Sequence, residues 1–117
     1  MKRDEEGAGH RHLRLQRIVL EELRSLLRDD VSDPALFEVR ITAVTLSIDY
    51  RHARVHFALP ARLAGDRAVV DRALVRATPF LRARLADAID AKRIPDLRFV
   101  FDAAAADLDA GADEEGS

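Results

Sequence analysis

Seventeen of the 19 basic side chains in this 117-residue chain are arginine, and several recur at spacings that bring them together. Arg72 and Arg76 lie one helical turn apart, Arg82 and Arg84 follow the pair Thr78-Pro79, and Lys92 with Arg93 closes the far end. A guanidinium is a planar fork that donates two parallel hydrogen bonds, which suits phosphate oxygens. Thr78 is a fair N-cap and proline is favoured at the first helical position, so a helix start is expected at Thr78-Pro79. Its first-turn amides, minus the one proline lacks, would face outward at a positive helix end. The set Arg72, Arg76, Thr78, Arg82, Arg84, Lys92 and Arg93 could therefore follow a phosphate backbone. The bland alternative is a solvated helix surface with local ion pairs, Arg84–Asp87 foremost, in a chain whose arginine excess a GC-rich genome also explains.

Other chemistries find less support. A second basic surface, Arg40, Arg54, His56 and Arg98, is expected on the sheet face away from the helices. Phe57, Phe99 and Phe101 share the alternation of Val55 and Leu97, which makes them core rather than a base-stacking platform. Arg11, Arg14 and Arg17 decorate the first helix, where ion pairing is the simpler reading. His10 and His12 fall in an expected leader, and two imidazoles do not make a metal site. His52 and His56 are about 13 Å apart if extended, too far for one ion. Ser25, Ser32 and Ser47 lack nucleophile-elbow glycines, and no constellation converges on a reacting atom, so neither catalysis, a metal nor a cofactor is expected.

These groups need elements to carry them. From Arg11 to about Arg28, Leu15, Ile18, Val19, Leu23, Leu26 and Leu27 recur at helical spacing. On the opposite face Glu21 can pair with Arg17 and Arg24. Asp33-Pro34 ends this helix, because proline drives the preceding residue out of the helical region. Val39, Ile41 and Ala43 alternate, and Val44, Leu46 and Ile48 alternate one residue out of phase. A strand with a bulge between Ala43 and Val44 accommodates both halves. Residues 49–52 read as a turn, and Ala53, Val55, Phe57 and Leu59 as a second strand that completes a hairpin. Asp66 is an N-cap candidate for a helix with Val69, Val70, Ala73, Leu74 and Ala77 inward. The helix expected from Thr78-Pro79 carries Leu81, Leu85, Ala88 and Ile89, and Leu97, Phe99 and Phe101 form a third strand. The expected fold is α+β, in the order α-β-β-α-α-β, with a three-stranded sheet and helices on one face.

Hydrophobic residues make up 48% and charged residues 34% of the chain, enough for one two-layer core. The formal net charge of −2 conceals an asymmetry. Residues 10–102 carry 17 basic against 13 acidic side chains, whereas residues 103–117 carry five acidic and no basic ones. The expected organisation is a flexible leader over 1–9, a domain over 10–102 and an acidic, disordered tail over 103–117. There is no cysteine, hence no disulfide framework. No signal peptide or membrane span is visible, so a cytoplasmic protein is expected.

The element order is that of a type II KH-like domain, and four segments narrow the likeness. Asp33-Pro34, the strand Val39–Asp49 with Ala53-Arg54-Val55, the joint Ala77–Leu85, and Lys92–Asp102 together resemble the ribosome-binding factor A family over roughly residues 11–102. Each motif alone is weak; four in order and spacing are specific. Pro79 stands where the family joint usually has glycine, and Ala35 where a basic residue usually follows Asp-Pro. The chain also lacks the GxxG loop with which KH domains clamp four nucleotides, which favours binding by charge and shape. The resemblance implies a monomeric assembly factor without catalytic activity that binds the immature small (30S) ribosomal subunit and its rRNA. It further implies support of late maturation, including processing of the rRNA 5′ end, and release assisted in some bacteria by a GTPase. Two readings stand beside it: a generic KH-like module acting on other RNA, and a protein-interaction domain with no RNA role.

Overall fold

The computed structural model describes residues 2–89 and 93–102, with side chains from Gly9 onward. Helix α1 spans Lys2–Ser25 and continues as a π turn over Leu26–Asp30, closed by a hydrogen bond from the Val31 amide to the Leu26 carbonyl (2.9 Å). It thus starts well before Arg11 and gives helical backbone to residues expected in a leader. Extending a nucleated helix gains one hydrogen bond per residue fixed, and Lys, Arg and Glu are good helix formers. Asp33 is extended, accepts a hydrogen bond from the Ala35 amide (3.0 Å) and opens a 3₁₀ turn over Pro34–Leu36.

Strands β1 (Arg40–Leu46), β2 (His52–Ala58) and β3 (Asp96–Phe101) form one sheet in the order β1-β2-β3. β1 and β2 are an antiparallel hairpin; β2 and β3 are parallel, the crossover being supplied by helix α2 (Arg67–Ala88). The architecture is α+β, two helices over a three-stranded mixed sheet. The bulge in β1 falls one residue earlier than the alternation suggests, between Ile41 and Ala43. Thr42 is the extra residue, so Ala43 faces solvent while Val44 and Leu46 stay inward. A methyl group reads as either face in a sequence, which is why Ala43 misled. Ile48 lies beyond the strand end and is 93% exposed.

Each element contributes one face to the core. Val19, Leu23, Leu26 and Leu27 come from the first helix and its π turn, Ile41, Val44, Val55 and Phe57 from the sheet, and Val70, Leu74, Leu81 and Leu85 from α2. Phe57 is fully buried and meets Phe101 edge-on at 5.7 Å, with Phe99 and Phe101 half-buried against the same cluster. The phenylalanines are core, as their alternation indicates. Ile18 and Val69 turn partly outward instead.

The polar side of α1 guards the edge of the sheet. His12 Nε2 donates to the Leu46 carbonyl (2.8 Å), Gln16 accepts from the Leu46 amide (2.9 Å), and Arg24 Nε donates to the Ile41 carbonyl (2.9 Å). These backbone groups lie on the side of β1 away from β2, where an unpaired edge invites another strand.

Candidate nucleic-acid interface

The two helices expected to meet at Thr78-Pro79 are one. α2 runs unbroken from Arg67 to Ala88 with Pro79 inside it. Proline cannot donate to the carbonyl four residues back, which here belongs to Val75, 71% exposed and open to water. The Thr78 hydroxyl donates back to the Leu74 carbonyl (2.8 Å), within the turn that precedes the proline. Burial of Leu74 and Ala73 before the proline, and of Leu81 and Leu85 after it, holds both halves to one sheet. Thr78 is consequently no N-cap, and the amides after Pro79 belong to the interior of α2, not to an open helix end.

The expected phosphate-binding residues separate by what already holds them. Arg82 donates from Nε to the Pro95 carbonyl (3.2 Å) and from Nη2 to the Ile94 carbonyl (2.9 Å), with Asp96 at 3.5 Å. It fastens the entry to β3 onto α2. Arg76 pairs with Asp33 at 3.1 Å, and Arg84 pairs with Asp30 at 3.0 Å rather than with Asp87. Arg84 also stands 5.8 Å over the Phe80 ring. Both pairs bind α2 to the segment after α1. Their arginine side chains remain 62% and 49% exposed, where an ion pair contributes at most about 1 kcal/mol and a phosphate can exchange for the carboxylate. Arg72 and Arg93 are exposed and make no ion pair among the described residues. Lys92 lies outside the described residues, as does the tail over 103–117.

The open face of the sheet supplies a second group. Arg54 and Arg98 are register partners on the parallel strands β2 and β3, both exposed. Neighbouring strands are about 4.8 Å apart, so two positive charges sit side by side. Neither has an ion-pair partner among the described residues. Like charges placed opposite each other are unfavourable unless an anion lies between them. Arg40, His52 and His56 point to the same side, as the alternation of the strands requires. Among the described residues no cluster of three or more His or carboxylate side chains could hold a metal ion, and no helix is long and apolar enough to cross a membrane.

Three carboxylates are held below their ordinary range. The Ala35 amide and then Arg76 lower Asp33, Arg62 lowers Glu38, and the Ser47 hydroxyl and Arg51 amide lower Asp49. Each is held by groups of the turns and loops in which it lies or against which it packs.

Comparison with known proteins places this arrangement. Residues 11–110 match the family described as ribosome-binding factor A. A curated ribosome-binding factor A from Heliobacterium modesticaldum is 41% identical over 98 residues, covering 81% of this chain and 78% of its own. The crystal structure of ribosome-binding factor A from Thermus thermophilus is similar with a TM-score of 0.59 at 31% identity, covering 80% of this chain and 92% of that one. A homology model of the Thermus thermophilus factor, fitted into the cryo-electron-microscopy map of its complex with the 30S subunit, gives a TM-score of 0.54 at 32% identity, over 78% of this chain and 90% of that one.

Proposed function

Since the chain belongs to the ribosome-binding factor A family, we propose that it is a cytoplasmic, monomeric assembly factor that binds the small ribosomal subunit through its rRNA. The observation that carries this reading is the likeness to the factor fitted into a 30S complex, which extends over 78% of the chain. The charge distribution supports it independently, since residues 10–102 carry an excess of four positive charges.

Recognition runs by charge and shape. Arg72 and Arg93 take phosphates directly; Arg76 and Arg84 exchange Asp33 and Asp30 for phosphate oxygens, and Lys92 contributes a further cation. Thr78 and Arg82 support this surface, one through its bond back to the Leu74 carbonyl in the turn before Pro79 and the other by fixing the start of β3. Arg54 and Arg98 give the sheet face a second anion contact. Without GxxG there is no loop against which a sugar-phosphate backbone could lie closely, so sequence-specific gripping at α2 is not part of the proposal. The finer role includes support of late 30S maturation and rRNA 5′-end processing, with release assisted by a GTPase. No reaction is assigned to the protein itself.

Sedimentation of lysate through a sucrose gradient tests the reading. The protein is expected in the small-subunit fraction at low salt and at the top of the gradient as salt rises, because phosphate contacts weaken with a log–log slope of roughly −0.7 to −0.9 per phosphate. A position only at the top at low salt would overturn it. Arg72→Glu with Arg93→Glu should release the protein at lower salt without lowering its thermal midpoint. Unchanged release would move the contact to Arg54 and Arg98.

A further inference from the structure

We infer that a cleft between the end of α1 and the start of β1 is a pocket for a single unstacked RNA base with its flanking phosphates. This site rests on the RNA-binding reading above; it is distinct from the α2 row and shares only Arg40 with the open sheet face. The cleft has a volume of about 760 Å³, ample for one nucleotide, and is lined by Arg24, Arg28, Phe37, Arg40 and Thr42 among others. Among the described residues no carboxylate lines it. Three arginines in one concavity select a polyanion.

Phe37 makes the case more than a charge argument. Its neighbour Leu36 is buried in the core, whereas Phe37 is turned out and 64% exposed. A single exposed phenylalanine means little, since apolar atoms make up over half of any protein surface. Phe37 instead forms a wall of a concave, arginine-lined space. An aromatic face beside guanidinium groups is how single-stranded nucleic acid is held without regard to sequence, the base on the ring and the phosphates on the cations.

The cations are also pre-positioned. The Nε bond from Arg24 to the Ile41 carbonyl fixes its guanidinium and leaves both Nη groups without a protein acceptor among the described residues. Arg28 is held by Asp29 through Nε and Nη2 at 3.1 and 3.2 Å, leaving Nη1 for a ligand. Thr42, the bulged residue, lines the cleft, and its hydroxyl donates to Asp102 (3.2 Å).

The chain has no tryptophan, so Phe37→Trp places a single reporter on the wall. Saturable quenching of its emission by a uridine hexaribonucleotide at low salt is expected, with much weaker quenching by an RNA duplex of equal phosphate content. Phe37→Ala should weaken hexamer binding about tenfold with an unchanged thermal midpoint, and Arg24→Ala should weaken it further. Wild-type affinity in Phe37→Ala, absence of hexamer binding by the wild type, or quenching by polyglutamate but not by RNA would each overturn the inference. The last would make the cleft a site for an acidic polypeptide. Cosedimentation with the small subunit is read in parallel. Its retention in those cases leaves the ribosomal reading standing, and wild-type protein that binds the hexamer but not the subunit overturns that reading while the cleft stands.

Discussion

Arg82 and Arg84 are two residues apart on α2, yet they hold different kinds of partner. Arg82 reaches two backbone carbonyls in the segment entering β3, groups that no other described side chain satisfies. A hydrogen bond from a charged donor contributes about 1.5–3 kcal/mol when well shielded. Arg82 is 41% exposed, which reduces that figure. Arg82→Ala should therefore destabilise the domain by about 2 kcal/mol in urea denaturation, and Arg82→Lys by nearly as much, since an ammonium cannot span two carbonyls as a fork does. Arg84→Ala removes an exposed pair with Asp30 and should cost less than about 1 kcal/mol. Equal losses would refute the distinction. The sequence could not separate the two, because both flank the apolar stripe and Arg82's carbonyls lie 12 and 13 residues away. The carboxylates of Asp33, Glu38 and Asp49 act in the same local way, and all three are held low in the folded state. Their contribution is fully present above the ordinary carboxylate range near pH 4 and disappears as pH falls through the lower folded values. The combined variant Asp33→Asn, Glu38→Gln, Asp49→Asn should be less stable at pH 7 and lose less of its thermal midpoint between about pH 5 and pH 3.

At the scale of elements, α2 is the instructive case. Thr78-Pro79 carries every local sign of a helix start, and the chain nevertheless continues through it. Local preference lost to burial, because Leu74 and Leu81 both reach the core only if the axis carries on. The helix retains a carbonyl without an amide at Val75. Pro79→Ala restores that bond and relieves the ring's clash with the preceding turn, effects worth about 3 kcal/mol in an ideal helix. The unfolded chain becomes more flexible by about 0.4–1 kcal/mol in return. The expected outcome is a net gain of about 2 kcal/mol, read from the urea midpoint. A lower midpoint would show that the packing of Leu81 and Leu85 depends on the helix geometry proline sets. Element identities were otherwise legible, since two helical stripes and three alternating strands each leave a periodic trace. The trace does not record which polar groups face a strand edge, so the grip of His12, Gln16 and Arg24 on β1 was invisible, and His12 read as part of a leader. The parallel pairing of β2 with β3 is likewise a relation between distant segments that no local pattern carries.

The whole molecule is an arginine-rich domain joined to a segment of opposite charge. Much of the candidate interface was legible as composition, and its division into held and free arginines was not, because that depends on where Asp30 and Asp33 arrive against α2. We propose that the acidic residues beyond Asp102 bear on the same surface through charge alone. Removing residues 103–117 deletes five carboxylates and no cation, moving the formal net charge from −2 to +3. At an ionic strength near 0.1 M the screening length is about 10 Å, comparable to the spacing of residues along the interface. Five carboxylates following β3 in the chain would, through charge alone, compete for exposed arginines such as Arg54 and Arg98 with any polyanion that lacks a shape match. The truncated protein should therefore bind an unrelated RNA, such as a random-sequence single strand, several-fold more tightly at about 50 mM salt. The gain should shrink as salt rises, because added ions screen the tail and the phosphates alike. Binding to the small subunit should change less, since shape contributes there and the tail cannot compete with shape. Equal affinity of the full-length and truncated chains for unrelated RNA at low salt would show that the tail leaves these arginines alone.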